Sequence, residues 1–379
     1  MNNIPNFLIS YNEVIARIKA IDPVDYARSR NFLNGSVSYL SPFITHGVIS
    51  TKTVADAVLK KHDVRASEKL LAELGWREFF QRVWQAQQDS IFDDLRNIQG
   101  RVVSGQLSQS IVEANTGVTA LDESLKTLTS TGYMHNHARM WTASVAGNMA
   151  QTHWYQPAKW MYYHLLDGDL ASNTLSWQWI VGSFSHKKYY ANQDNLNKYT
   201  NTKQRDTFLD VEYEAFDEME IPAVLNQRVE LELKNEFSVS EAAPIVNTEE
   251  TVCLYSIWNL DPLWRQNKAA RRVLWIDPKM HQEFALSPKR WQFISHWAKQ
   301  VPGLEIFVGS EAELFPEGTK NLNVITREYP ATKHWPGTVD ERDWCYPNTQ
   351  GYFKNFFSFW KLAQKEIAGL RKLHQPHKS

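Results

Sequence analysis

The stretch that begins DGDLASNTLSWQW combines residue types that rarely occur together. Two carboxylates, Asp167 and Asp169, are followed by the amide of Asn173 and then by Trp177 and Trp179. Carboxylates and an amide can hydrogen-bond a polar heterocycle, while tryptophans supply stacking surface and oxidisable rings. Flavin photochemistry on a nucleobase is one of the few reactions that needs both at one site.

Three further motifs precede this stretch. They are RSRNFLNGSVSYLSPFITHGVIS at residues 28–50, ELGWREFF at 73–80 and GYMHNHARM at 132–140. Together the four motifs, in this order over about residues 10–205, resemble the photolyase/cryptochrome family, and most of all its cyclobutane pyrimidine dimer photolyases. The resemblance implies an all-helical FAD-binding domain in which the DGDLAxN stretch cradles the isoalloxazine ring.

The resemblance also implies which residues hold FAD. Hydroxyls and main-chain N–H groups near a helix start suit a diphosphate, and the matching residues are Tyr26, Ser38, Leu40 and Ser41. Val37 and Tyr39 depart from the family pattern, which puts two diphosphate contacts in doubt. Beside the ring, the matching residues are a charge pair of Arg139 with Asp167, together with Asp169, Asn136 and Asn173. An Asn at position 173 is typical of repair enzymes, whereas cryptochromes often carry Asp or Cys there.

A lesion must leave the duplex to reach a flavin, so a repair enzyme needs a pocket for a flipped dimer. The positions that match this pocket are Glu73, Trp76, Arg77, Asn136, Met140 and Trp179. Trp76 and Trp179 match the stacking pair, and Glu73 matches the carboxyl that hydrogen-bonds the dimer. Asn136 and Met140 occupy positions where enzymes acting on the (6-4) photoproduct carry histidine, so the pocket favours the cyclobutane dimer.

Electron supply to the flavin is the third requirement. Trp177 and Trp154 match the two inner members of the family's tryptophan relay. The outer member is not identified, and Trp84, Trp141 and Trp160 are candidates for it.

The favoured interpretation is therefore a light-driven carbon–carbon lyase, similar to deoxyribodipyrimidine photolyase. In this reaction photoexcited reduced FAD gives one electron to a flipped-out dimer and then takes it back. The alternatives are a cryptochrome-like FAD photoreceptor and a (6-4) photolyase. The expected partner is ultraviolet-damaged DNA, and an antenna chromophore is left open.

Composition is compatible with this interpretation. The chain is 43% apolar and carries 15 tryptophans, has no apolar run near the roughly 18 residues of a membrane span, and lacks a signal-peptide pattern. We expect a cytoplasmic monomer with no membrane partner. Cys253 and Cys345 are too few for a four-thiolate iron–sulfur cluster and favour reduced thiols over a disulfide. His135 and His137 point to different faces of a helix, so no metal site is expected.

Charge is unevenly distributed along the chain. Residues 1–205 have a net charge of +4, residues 206–250 of −11 and residues 251–379 of +6. Basic residues after the DGDLAxN stretch could therefore form a rim for phosphate; a solvated loop is the equal alternative. These residues are Lys187, Lys188, Lys198, Lys203 and Arg205, interleaved with Tyr189, Tyr190 and Tyr199, and Lys159 precedes them.

Three regions follow from the patterning. Residues 1–205 have the apolar spacing of helices at Glu68–Gln88 and Thr119–Leu128, and Ser41–Pro42 has the form of a helix cap followed by proline. Residues 206–250 are predicted to be an acidic linker, a partly disordered strap with at most a short helix.

Residues 251–379 are predicted to form a small α/β domain with a parallel sheet. The predicted strands and helices are Val252–Trp258, Arg272–Asp277, Ser287–Val301 (helix), Leu304–Val308, Leu322–Thr326 and Gly351–Ile367 (helix). The family's proteins normally begin with an antenna domain, whereas this sequence starts at the FAD-binding motifs. One interpretation of the tail is a shortened, permuted antenna-like domain, and the other is an unrelated α/β appendage.

Overall fold

A computed structural model describes residues 4–237, 242–246, 249–320 and 322–374. The chain forms two compact units, each assembled from separate stretches. The first unit contains the residues up to Pro5, Asp25–Val37 and Gln87–Lys234. The second unit contains Asn6–Val24, Ser38–Ala86 and the chain from Asn235 onward. The predicted helical region 1–205 is therefore shared between the two units.

Helices dominate residues 10–200, as the sequence predicts. In chain order the helices are α1 (Tyr11–Lys19), α2 (Pro23–Ser29), α3 (Ser41–Thr45), α4 (Thr51–Leu59), α5 (Val64–Gln87), α6 (Gln109–Val112), α7 (Thr119–Thr131), α8 (Asn136–Ser144), α9 (Tyr155–His164), α10 (Leu170–Val181), α11 (Gln193–Thr200), α12 (Met280–Glu283), α13 (Pro288–Ala298), α14 (Glu311–Leu314) and α15 (Phe356–His374). A π-helical turn at Val145–Met149 extends α8. No helix in the described ranges is long and apolar enough to cross a bilayer.

Local sequence explains where these helices begin and end. Ser10 and Glu13 form a capping box at the start of α1, an arrangement that satisfies two exposed N–H groups. Glycines in the left-handed conformation end α7 at Gly132 and α10 at Gly182, as expected of a residue without a Cβ.

One predicted helix start is wrong in detail. Ser41 is the first residue of α3 rather than its cap, because Leu40 already has helical backbone angles and no side chain caps the end. Pro42 fits because the first turn of a helix does not need its N–H groups.

The tail contains a parallel sheet, as predicted, but the sheet has five strands where the sequence predicted four, because the short strand at Thr338–Asp340 was not predicted. Two short strands elsewhere, β1 (Leu107–Ser108) and β2 (Arg228–Val229), pair antiparallel in the first unit. The sheet strands are β3 (Thr251–Tyr255), β4 (Arg271–Ile276), β5 (Leu304–Val308), β6 (Asn323–Arg327) and β7 (Thr338–Asp340). Their spatial order is β5-β4-β3-β6-β7, so the direction of winding reverses between β3 and β6, as in doubly wound α/β sheets.

The reversal point of this sheet is filled by aromatic side chains. Trp258, just after β3, stacks on Tyr329, just after β6, with ring centroids 4.7 Å apart and planes 10° apart. Trp84 of α5 meets Tyr329 edge-on at 5.5 Å. The crevice where doubly wound sheets usually bind a ligand is therefore used here for packing.

The acidic segment is more ordered than predicted over residues 206–234. Its apolar residues Leu209, Phe216 and Leu225 are buried in the core of the first unit, and β2 pairs with β1. The prediction of a partly disordered strap is wrong for this part, because these apolar side chains give the chain something to bury. Residues 238–241 and 247–248 lie outside the described residues.

Substitution of Gly132 by Ala tests the turn that follows α7. Gly132 has φ +74°, and an added Cβ would lie 2.7 Å from Leu166 Cγ. We expect Gly132→Ala to lower the free energy of unfolding by about 2–4 kcal/mol, since backbone strain and overpacking add. Urea denaturation measures this.

Gly117→Ala is the matched control for this substitution. Gly117 has φ +81° and nothing within 4 Å of an added Cβ. We therefore expect only the cost of backbone strain, which lowers the free energy of unfolding by about 1 kcal/mol. Equal losses in the two variants would show that the Leu166 contact is unimportant.

Candidate functional site

A buried ion pair forms the centre of the candidate site in the first unit. Arg139 Nη2 donates to both oxygens of Asp167, at 2.9 and 2.8 Å, and Asp167 is only 5% exposed. Arg139 Nε donates to the Met134 carbonyl at 2.9 Å, which fixes the guanidinium. The structure thus brings together the two predicted ring-binding charges, 28 residues apart in sequence.

The loop between α9 and α10 presents Asp167 and Asp169. Leu166 N donates to the Gly132 carbonyl at 2.8 Å, so this loop is held against the turn before α8. Asp169 is buried and caps α10 by accepting from Ser172 N at 2.8 Å. Asn173 Nδ2 donates to the Ala158 carbonyl at 2.9 Å, which orients its amide.

His135 positions the helix that carries Arg139. Its Nδ1 accepts from His137 N at the start of α8, and its Nε2 lies 3.0 Å from the Arg30 carbonyl. Burial lowers the pKa of His135 to about 4, and the neighbouring His137 acts in the same direction. His137 lies against Trp141 and Tyr199. Both histidines are thus packing residues.

The two predicted inner relay tryptophans are both buried. Trp154 Nε1 donates to Asp94 Oδ1 at 2.8 Å, and Trp177 lies on α10 with 2% exposure. Burial alone would raise the pKa of Asp94, but hydrogen bonds from Gln99, Ser183 and Trp154 hold that pKa below its usual value.

The candidates for the outer relay position are all buried as well. Trp84 is 3% exposed, Trp141 0% and Trp160 2%, so none of them reaches solvent as a surface electron donor must. Tyr155 is only partly buried and meets Trp154 edge-on at 5.5 Å.

Three predicted substrate residues lie on α8 and α10 of the first unit. Asn136 is exposed at the first position of α8, and Met140, one turn later, is half-buried. Trp179 is 39% exposed, while Trp177, two residues earlier on α10, is buried. The helix α10 therefore directs one tryptophan into the core and the other to the surface.

The remaining predicted substrate residues lie on α5 in the second unit. Glu73 is half-buried and pairs with Lys69 at 3.1 Å, and Arg77 donates to the Thr45 hydroxyl. Trp76 is half-buried and stacks face to face on Phe356 of α15, with centroids 3.9 Å apart and planes 8° apart.

The predicted diphosphate residues are divided between the two units. Tyr26 lies on α2 in the first unit, whereas Ser38, Leu40 and Ser41 precede or begin α3 in the second. Leu40 is 1% exposed, so its contact with a ligand would come from the main chain.

Part of the predicted basic rim contacts acidic residues, of which Asp210 and Asp217 belong to the acidic segment. Arg205 pairs with Asp194 at 2.8 Å and Asp210 at 3.2 Å. The Tyr190 hydroxyl donates to Asp217 at 2.8 Å, and the Tyr190 ring stacks on Phe216. Burial and this carboxylate raise the pKa of Tyr190 well above its usual value. Lys187, Lys198 and Lys203 are exposed.

The residues around the ion pair fit a polar heterocyclic cofactor. Two buried carboxylates, a guanidinium and an amide converge on the start of α10, and among the described residues the buried Ser172 hydroxyl has no hydrogen-bond partner. A cofactor edge would supply the missing partner. No group of His, Cys, Asp and Glu within the described ranges could hold a metal ion.

Two features of this arrangement are missed by the sequence analysis. Asp94 lies 60 residues from Trp154, and nothing in its local sequence marks it as a partner. Phe356 was detectable, because Phe356, Phe359 and Trp360 share one face at helical spacing in the final helix.

Comparisons with known proteins identify the matched domain. The family model for the FAD binding domain of DNA photolyase matches residues 70–211. A deoxyribodipyrimidine photo-lyase from Streptomyces griseus is 30% identical over 161 residues, which are 42% of this chain and 35% of that protein. A cryptochrome DASH from Ostreococcus tauri is 32% identical over 162 residues, 40% of this chain and 30% of that protein.

The similarity is partial in length. The chain matches about a third of the length of these curated relatives. Among solved structures, a Synechocystis cryptochrome aligns with a TM-score of 0.46 and 23% identity, covering 51% of this chain and 43% of that one.

Neutralising Asp167 tests the ion pair. Asp167→Asn leaves Arg139 facing an amide at a buried position, and breaking such a pair costs about 3 kcal/mol. We expect that loss in urea denaturation together with reduced FAD content after purification, read from the flavin absorbance.

Asp194→Asn is the control. Asp194 pairs with Arg205, and its side chain is 71% exposed, so the change is expected to stay within about 0.5 kcal/mol. If the two variants lose the same stability, the buried pair has no special role.

His135 predicts a pH dependence of stability. Folding lowers the pKa of His135 from the ordinary value of 6.5 to about 4. Between these two values the unfolded chain binds a proton that the folded protein does not bind, so the contribution of His135 to the free energy of unfolding is present above about pH 6.5 and is lost as the pH falls toward 4. Between pH 7 and 5 its share of the loss is about 2 kcal/mol.

His135→Asn keeps a good cap acceptor and removes the titration. We expect its unfolding free energy to fall less steeply below pH 6.5 than that of the natural protein. Parallel pH profiles would contradict the assignment.

Proposed function

We infer a light-driven function from the family to which this chain belongs, the photolyases and cryptochromes that share the FAD-binding domain found here at residues 70–211. The cofactor of this domain is FAD. Bound FAD absorbs blue or near-ultraviolet light and supplies one electron at a time.

The residues proposed to hold FAD are those of the ion-pair site. Arg139 and Asp167 would lie beside the ring, Asp169 would accept from its polar edge, and Asn173 would face it with an amide already oriented by Ala158. Arg139 and Asp167 pair with each other at this site, so the buried carboxylate has a cation beside it. Tyr26, Ser38, Leu40 and Ser41 remain the proposed diphosphate contacts.

The favoured activity is repair of cyclobutane pyrimidine dimers in DNA. The observation that carries it is the arrangement of α10, which is capped by Asp169, carries Asn173 in its first turn, directs Trp177 into the core and exposes Trp179. One helix thus combines ring contacts, a buried oxidisable residue and a surface on which a flipped base can stack. Damaged bases unstack at lower cost than intact ones, which favours their entry.

Each remaining residue has a proposed role in that reaction. Glu73 would accept hydrogen bonds from the dimer, Trp76 and Trp179 would stack on it, and Arg77, Asn136 and Met140 would line the pocket. Trp154 and Trp177 would pass an electron to the flavin when it is oxidised. Splitting the dimer requires only one electron in and one electron back, so no proton-transfer histidine is needed.

A blue-light photoreceptor is the second candidate, and two observations favour it. Trp76 is already stacked on Phe356, and Arg205 and Tyr190 of the basic rim are engaged by acidic residues. A protein that signals without repairing DNA does not need Trp76 to be available for stacking on a base, nor the basic rim to be available for binding phosphate. The (6-4) photoproduct is not favoured as a substrate, because Asn136 and Met140 replace the histidines it requires.

Repair of a defined substrate distinguishes these functions. The purified, reduced protein would be illuminated with an oligonucleotide that contains one thymine cyclobutane dimer, with a dark sample as control. Light-dependent recovery of the thymines is expected. A protein that retains photoreducible FAD and restores no thymine would support the photoreceptor instead.

Glu73→Ala tests the proposed substrate pocket in the same assay. Loss of a hydrogen-bonding carboxyl to the dimer is expected to reduce repair at least about tenfold, equivalent to roughly 1.4 kcal/mol, while FAD content is unchanged. Lys69→Ala is the matched control, since it removes only the partner of a partly exposed ion pair. Normal repair by Glu73→Ala would show that the pocket is wrongly located.

A further inference from the structure

The final helix covers one face of α5 within the second unit. Phe356 and Trp360 of α15 stack with each other at 5.8 Å, and Trp360 lies against Gly75, where an added Cβ would come within 3.1 Å of its ring. Gln364 Nε2 donates at 3.0 Å to Oε1 of Glu68, which lies on α5 about two turns before Gly75. These contacts place α15 along the part of α5 that carries Trp76.

The preceding loop anchors α15 in this position. Tyr346 Oη donates to the Leu71 carbonyl at 2.8 Å. The main-chain N–H groups of Cys345 and Tyr346 donate to the buried carboxylate of Glu78 at 2.6 and 3.1 Å. Burial raises the pKa of Glu78, and each of these N–H groups stabilises its charged form.

The contact between Phe356 and Trp76 has the geometry of base stacking. Aromatic side chains usually meet offset or edge-on with centroids about 4.5–7 Å apart, whereas these rings lie at 3.9 Å and 8°. The other neighbours of Trp76 on its own helix differ, since Phe79 meets it edge-on and Phe80 is tilted. Phe356 is therefore the ring that occupies a stacking face of Trp76.

We propose that Phe356 is a specificity-determining residue that occupies the stacking position of a flipped base on Trp76 and so limits which nucleic acids the protein accepts. This rests on the proposed function, in which Trp76 stacks on the lesion. A base that stacks on this face of Trp76 must displace Phe356. A lesion that also gains the proposed hydrogen bonds to Glu73 can compete with Phe356 for this face, whereas an ordinary base in single-stranded DNA, which lacks those contacts, competes poorly.

The test compares DNA binding by the full-length, FAD-loaded protein in the dark. The probes are two single-stranded oligonucleotides of the same sequence, one with a thymine cyclobutane dimer and one undamaged, followed by fluorescence anisotropy. Phe356→Ala is expected to bind the dimer about tenfold more tightly than the natural protein, because stacking of one base on an aromatic side chain is of this size. Binding of the undamaged probe is expected to rise by a larger factor than binding of the dimer probe, so discrimination between the two probes falls.

Two comparisons separate this role from a general loosening of the tail. Phe357→Ala is the matched control, because Phe357 is the next residue and is 80% exposed; it is expected to bind as the natural protein does. The double variant Trp76→Ala/Phe356→Ala is expected to lose the gain, since the base then has no ring to stack on. Phe356→Leu keeps an apolar side chain of similar size without a flat face, so it provides the same test if Phe356→Ala folds poorly.

The outcomes distinguish the two proposals. Unchanged binding by both Phe356 variants, an equal gain in Phe357→Ala, or a gain that survives loss of Trp76 would each overturn the role of Phe356. A Trp76-dependent gain in binding without light-driven repair would support the role of Phe356 and reject the repair function. Light-driven repair by the natural protein, with no gain in DNA binding by Phe356→Ala, would support the repair function and reject the role of Phe356.

Discussion

The buried charge of Asp167 is the constraint around which the first unit is arranged. A carboxylate with 5% exposure remains ionised only when a cation and hydrogen bonds replace its lost hydration. Arg139 supplies the cation, and the carbonyl of Met134 holds its guanidinium in place. The cap formed by His135 sets the start of α8, and the turn at Gly132 holds the facing loop. These contacts hold in place the charged part of the proposed flavin site.

The second unit also contains a buried carboxylate, which is stabilised by hydrogen bonds from a hydroxyl and from the main chain. Glu78 is 3% exposed in the middle of α5, and its oxygens accept from the Thr51 hydroxyl and from two main-chain N–H groups of the loop before α15. Because these donors belong to the main chain, the same hydrogen bonds that stabilise the Glu78 carboxylate also hold the loop before α15 in place. The helix α5, which carries three of the proposed substrate residues, is therefore joined to the tail by a polar contact as well as by aromatic packing.

Much of the fold could be predicted from local patterns, because apolar spacing, caps and glycines act over a few residues. The boundaries of β5 at Leu304–Val308 are the predicted ones, and the pairing of Arg139 with Asp167 follows from the family resemblance. What could not be predicted depends on contacts between distant residues. The pairing of Leu107 with Val229 in the acidic segment and the contact of Phe356 with Trp76 each join residues more than 100 positions apart, and no single stretch of sequence contains both partners.

The way the units interleave has a consequence for synthesis on the ribosome. The second unit is built from chain on both sides of the first, so residues 38–86 emerge long before residues 251–367. Until then Glu78 lacks its main-chain partners and the aromatic face of α5 has nothing to cover it. The contacts that complete this part of the second unit therefore form only late in translation, after α15 and the loop before it have been synthesised.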